Sequence, residues 1–137
     1  RHWMKQKGFR NSPLIISEYG VLFPSDYLGG GQGCEHIGDQ MVIDFMRETF
    51  DFLMTAKDPN LGYPEDDNRL VQQWLWYSLN GPPFGAGAAS GFNGGLFSHR
   101  DPAQPTKFGV AFRDYMHVLL GLPRVLLPIT MSGYHPD

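Results

Sequence analysis

One cysteine, Cys34, stands in the 137 residues of this chain. That scarcity excludes an internal disulfide framework and a cysteine-rich zinc site. Long apolar runs are missing as well, and none approaches the roughly 20 residues needed to cross a bilayer. Positive charge is not in excess: 11 Lys and Arg stand against 14 Asp and Glu, for a net charge of −3. Nothing in that balance favours nucleic acid or a membrane surface as a partner. His36, His99, His117 and His135 are scattered without metal-ligand spacing, so no metal is expected. Gly29-Gly30-Gly31 is not followed by the Lys-Ser/Thr of a phosphate loop, which excludes a nucleotide cofactor of that kind.

What is present is apolar and aromatic. Hydrophobic residues make up 42% of the chain, enough for a core and too many for a disordered segment. Aromatics reach 14%, compatible with an aromatic-lined groove. Residues Arg1 to Lys7 read as the last turns of a helix, with Gly8 suited to its C-cap. Because that helix lacks a start, the chain is expected to begin within a larger protein. Leu14 to Tyr19, opened by Pro13, is nearly all apolar and predicts a parallel strand. A glycine-rich loop, Gly20 to Gly38, follows. Asp39 reads as the N-cap of an amphipathic helix from about Gln40 to Lys57, with Val42, Phe45, Met46, Thr49, Leu53 and Ala56 at helical spacing. A second strand is predicted over Leu70 to Leu79, and a second long loop over Asn80 to Pro105. That loop holds a hairpin-like Phe92-Asn93-Gly94-Gly95-Leu96-Phe97. Thr106 is expected to cap a final helix reaching Leu120. The alternation predicts an α/β fold with parallel strands, whose functional loops follow the strand C-termini. Residues 1–121 form the folded portion, and 122–137 read as a tail or linker.

Glu18 is the leading candidate for chemistry. It ends the apolar strand Pro13-Leu14-Ile15-Ile16-Ser17-Glu18-Tyr19-Gly20. A buried ionised carboxylate is expensive unless paired, so its place at a strand tip suggests a role. Period two on the second strand groups Gln72, Trp74, Trp76, Ser78 and Asn80 on one face. The opposite set, Val71, Gln73, Leu75, Tyr77 and Leu79, suits contact with covering helices. The tryptophan set is then expected to line the interior beside Glu18, on the neighbouring strand. A carboxylate near an anomeric carbon and an indole stacked on a sugar ring are what glycoside hydrolysis requires. The residues alone leave plainer readings open: Glu18 as a solvated strand end, Trp74 and Trp76 as core, Asn80 and Asn93 as turn residues. Asp66-Asp67 precedes a strand and reads as a solvated loop.

Together, the Ile16-Ser17-Glu18-Tyr19-Gly20 strand end and Gln73-Trp74-Leu75-Trp76-Tyr77-Ser78-Leu79-Asn80 resemble strands seven and eight of a (β/α)8-barrel glycoside hydrolase, of the cellulase-like (family 5) clan with two catalytic glutamates. The passage from Phe92-Asn93-Gly94-Gly95-Leu96-Phe97 to Thr106-Lys107-Phe108-Gly109 is similar to the entry into the last barrel helix. The resemblance covers most of residues 1–120. It implies a partial TIM barrel made of the last two β/α units, with Glu18 as the nucleophile and Trp76 against the sugar. Trp74, Tyr19 and Asn80 are further substrate-binding candidates, and Ser78 is a weaker one. It implies a carbohydrate substrate, no cofactor, secretion, and a partner in the missing strands one to six. The clan's acid/base glutamate follows an asparagine, and no Asn-Glu pair occurs in this chain. A whole barrel takes about 250 residues. The isolated chain is therefore expected to be inactive. A noncatalytic α/β carbohydrate-binding or interaction module is the alternative.

Overall fold

The computed structural model describes residues 1–21, 35–82 and 94–121. Helix α1, His2–Gln6, is short and exposed. It ends at Gly8, whose φ of +80° is a left-handed conformation that glycine adopts freely. The reversal lets the Phe9 N–H donate to the Met4 carbonyl at 2.7 Å, so the chain folds back along the helix. Strand β1, Ile15–Tyr19, follows. Helix α2, Glu35–Thr55, comes next. A connector containing a single 3-10 turn, Pro64–Asp66, leads to strand β2, Gln73–Trp76. Helix α3, Lys107–Leu119, completes the described chain.

The two strands pair in parallel, which makes the fold α/β. Gln72 fastens their start: its side-chain oxygen accepts from the Leu14 N–H at 2.8 Å, and its own N–H donates to the Leu14 carbonyl at 3.0 Å. At the far end the Tyr77 N–H donates to the Tyr19 carbonyl at 2.8 Å. Between them the register slips. Ile16 lies opposite Trp74 and Tyr19 opposite Trp76, so three steps on β1 match two on β2. The extra residue breaks the alternation of β1 at Ser17-Glu18.

Helix α2 buries Val42, Met46, Phe50 and Leu53, a stripe at spacings of four and three that lies along one helix face. Leu96 and Phe108 complete the central cluster with Val42, Met46 and Phe50. Each such side chain contributes about 1.5–3 kcal/mol on full burial. The Thr106 hydroxyl accepts from the Gly109 N–H and caps α3 as expected. Two polar ties hold α3 to α2. Tyr115 donates to Asp51 at 2.8 Å, and Lys107 pairs with Asp39.

Two boundaries and one side chain differ from expectation. Helix α2 begins before Gln40, so Asp39 lies inside it as a buried partner of Lys107 and not as a cap. β2 is four residues long, because the chain turns away after Trp76. Asp66 is no free loop carboxylate: Arg69 and Gln72 donate to it, and the Arg69 contact holds its pKa below the usual carboxylate value. The triple-glycine loop, Phe92 and Asn93 of the expected hairpin, and the tail at 122–137 lie outside the described residues.

Candidate functional site

The two faces of the sheet have opposite characters. On one, Trp74 and Trp76 meet the helices. Phe50 of α2 sits 5.8 Å from the Trp74 ring and 6.0 Å from the Trp76 ring, centroid to centroid. Phe50 also meets Phe112 and Tyr115 of α3 edge-on, at 5.4 and 5.2 Å. On the other face Gln73 and Leu75 are exposed, with Leu75 at 49%. Ile15, Ser17 and Glu18 of β1 are exposed too, with Ile15 at 52%. The sheet therefore has a covered aromatic face and an open face.

This reverses the expected assignment for β2. Trp74 and Trp76 belong to the core, and the set containing Gln73 and Leu75 faces away from the helices. The physical reason is size. The helices meet the sheet through aromatic rings, and indoles span that gap better than Gln73 or Leu75 would. Trp76 has in addition spent its hydrogen-bonding capacity: its Nε1–H donates to the Gly94 carbonyl at 2.7 Å. That bond holds the start of the segment leading into α3.

Tyr19 is likewise a core residue. The slip in β1 turns it toward the helices, where its ring packs 5.4 Å from Trp76 and 6.4 Å from both Phe45 and Phe50. Its hydroxyl bonds with Thr49 at 3.4 Å. Burial pushes its pKa up to about 12, the Thr49 contact opposing the shift. Ser78 is buried, and its hydroxyl accepts from the Gly81 N–H at 3.0 Å, closing a turn. Asn80 lies exposed in that same turn. Neither Tyr19 nor Ser78 is presented to a ligand.

Glu18 is exposed at the C-terminal end of β1. It does not carry the desolvation penalty that its apolar strand suggests, because the slip delivers it to the open face. Glu18 and Trp76 thus crown adjacent strands but project to opposite sides. Sequence alternation alone misses this grouping of Glu18 with Gln73 and Leu75, because a one-residue slip leaves no mark in a run as apolar as Leu14-Ile15-Ile16.

An apolar cavity of about 340 Å³ lies between β2 and α3, lined by Phe50, Trp74, Leu75, Trp76, Leu96, Phe112 and Met116. The indole N–H of Trp76 is already bonded to Gly94. The only polar side-chain groups among the lining residues of the cavity are the two indole N–H groups, of which that of Trp76 is engaged. His99 is exposed and His117 lies on α3, and among the described residues no three His, Cys, Asp or Glu side chains gather as metal ligands. No helix of the described residues is long and apolar enough to cross a membrane. No family model, no curated protein and no solved structure matches the chain.

Proposed function

We propose that this chain is the nucleophile-bearing C-terminal part of a retaining (β/α)8-barrel glycoside hydrolase, with Glu18 as the nucleophile. The observation that carries the reading is the position of Glu18: exposed, at the C-terminal end of a parallel strand, on the sheet face that the helices leave open. In a (β/α)8 barrel the helices cover the outside, and the strand C-termini carry the site. The open face corresponds to the interior of such a barrel. Ile15 and Leu75, both apolar and half exposed here, suit the packed layers of that interior.

The residues around Glu18 divide the work. Tyr19, packed among Phe45, Phe50 and Trp76, anchors the end of β1 and sets the direction of its neighbour. Trp76 secures the segment that follows β2 through Gly94. In the complete enzyme Glu18 attacks the anomeric carbon, and a glutamic acid from an earlier strand protonates the leaving oxygen. Water then hydrolyses the glycosyl-enzyme, with that second residue now acting as base. The substrate is a poly- or oligosaccharide, and no cofactor takes part. A noncatalytic sugar-binding module is less well supported, because both tryptophans are engaged in packing against Phe50.

The test is covalent trapping in the complete protein. An activated 2-fluoro glycoside forms the glycosyl-enzyme and releases it slowly, so peptide mass spectrometry reads out the labelled carboxylate. The expected label is on Glu18, and Glu18→Gln is expected to abolish both label and hydrolysis. Labelling of another carboxylate, or full hydrolysis by Glu18→Gln, sinks the proposal. The 137-residue chain alone is expected to show neither, because it lacks the acid partner.

A further inference from the structure

We propose that Asn80 and Gly81 form a site of spontaneous covalent modification, at which the Gly81 backbone nitrogen attacks the Asn80 carboxamide and Ser78 restrains the attack. The site follows β2 and does not depend on the hydrolase reading. The turn is pinned on one side only. The Ser78 carbonyl accepts from the Leu96 N–H at 3.2 Å, and the Leu79 carbonyl accepts from the Phe97 N–H at 2.7 Å. Asn80 stands exposed just beyond these bonds. The Gly81 N–H donates to the Ser78 hydroxyl at 3.0 Å, and Ser78 is itself buried.

The other asparagines of the described residues are placed differently. Asn68 accepts from Arg10 at 3.2 Å, and the Arg69 N–H after it donates to the Asp66 carbonyl at 2.9 Å. Asn60 precedes the branched Leu61, whose N–H donates to the Asp58 carbonyl at 3.3 Å and to its carboxylate at 3.1 Å. Asn11 precedes Ser12, whose N–H donates to the Phe9 carbonyl at 3.1 Å. In all three the following nitrogen belongs to a residue with a side chain, and its N–H is tied to a backbone carbonyl. Gly81 differs on both counts. Glycine sets no Cβ beside the nitrogen and reaches the conformations that closing a ring requires. A serine hydroxyl is a weak turn closure, so rotation of one side chain releases the N–H.

The Gly81 nitrogen loses its proton to solvent and bonds to Asn80 Cγ. The Cγ–Nδ2 bond breaks, the leaving nitrogen takes up a proton, and ammonia departs from a closed succinimide ring. Water then opens the ring at either carbonyl. One opening leaves aspartate at position 80. The other leaves isoaspartate, in which the main chain runs through Cγ and is one carbon longer. Either product carries a carboxylate where a neutral amide stood, and no oxidant or cofactor is consumed. The new charge enters the loop at the C-terminal end of β2, the end at which α/β folds place their functional loops.

The chain is incubated in mildly alkaline buffer made with 18O-labelled water, and peptide mass spectrometry reads the label at each asparagine. Electron-transfer fragmentation separates aspartate from isoaspartate. Label is expected to accumulate at Asn80 sooner than at Asn11, Asn60 or Asn68. The rate is expected to rise with pH, because the attacking nitrogen must first lose its proton. Gly81→Ala is expected to slow labelling of Asn80 several-fold. Ser78→Ala, with its helical circular dichroism retained, is expected to speed it by about fivefold, the weight of one hydrogen bond. A second arm needs no variant: the chain unfolded in urea is expected to react at Asn80 faster than the folded chain, by a similar factor. A rate at Asn80 that does not rise on unfolding overturns the restraint by Ser78. Labelling of Asn80 no faster than of Asn11, Asn60 and Asn68 overturns the site.

Discussion

Glu18 and Trp76 stand at the ends of neighbouring strands, yet their substitutions should report on different things. Glu18 is exposed and outside the core, so Glu18→Gln is expected to change stability by less than about 0.5 kcal/mol in chemical denaturation of the isolated chain. Trp76 packs on Phe50 and bonds to Gly94, so Trp76→Ala is expected to cost about 3–5 kcal/mol in the same measurement. Equal effects would contradict the two-faced sheet. The tyrosines carry a pH signature. Tyr19 and Tyr115 both have pKa values pushed up to about 12, chiefly by burial, with the Asp51 hydrogen bond adding to the rise for Tyr115. The folded state thus favours their neutral forms. The stability they contribute is complete below the unfolded value of about 10 and is lost as pH rises toward 12. A phenolate absorbance titration should show these two ionising last, as the helical circular dichroism falls. Tyr115→Phe removes one of the late steps; ionisation of every tyrosine near pH 10 with the fold intact would refute their burial.

At the level of elements, local chemistry was readable wherever one residue type had one job. Thr106 caps α3, Gly8 reverses the chain after α1, and the stripe of Val42, Met46 and Leu53 gives the buried side of α2. Thr106→Ala is expected to lose about 1 kcal/mol by calorimetry, since the hydroxyl serves both the Gly109 N–H and the Gly95 carbonyl. Gly109 makes a sharper test. Alanine is the better helix former by about 1 kcal/mol, yet a Cβ at this position would lie 2.0 Å from the Leu96 carbonyl oxygen. Gly109→Ala is therefore expected to destabilise the fold, and a stabilised variant would show that the close approach of α3 to Leu96 is absent. The faces of the strands were not readable in the same way. Period two sorts the residues of β2 into two sets but does not say which set the helices cover, and Trp74 and Trp76 answer that only through contacts with Phe50. In β1 the slip at Ser17-Glu18 depends on the partner strand, because the register exists only between two strands. Asp39 was misread for a similar reason: a good capping residue is also a good partner for a distant lysine, here Lys107.

Among the described residues of the whole molecule the sheet has two strands, covered on one face and open on the other. Two strands alone are marginal in water, and here the helices stabilise them from one side only. Each strand also has one neighbour among the described residues, which leaves an outer edge able to pair with another chain. Closure of a sheet into a barrel is a relation among strands, so no residue pattern within two of them announces it. Among the described residues the open face carries Ile15 and Leu75, both apolar and exposed, beside Ser17, Glu18 and Gln73. In the isolated chain that face should be cohesive. Sedimentation at rising protein concentration is expected to show self-association, and Leu75→Lys is expected to reduce it at least several-fold while leaving the helical circular dichroism unchanged. Trp74→Lys, by contrast, puts a charge against Phe50 and should unfold the chain. The pair of variants separates the two faces without any assumption about catalysis. If Leu75→Lys unfolds the protein and Trp74→Lys is tolerated, the helices cover the other side, and Glu18 then points into a packed layer where no sugar could reach it.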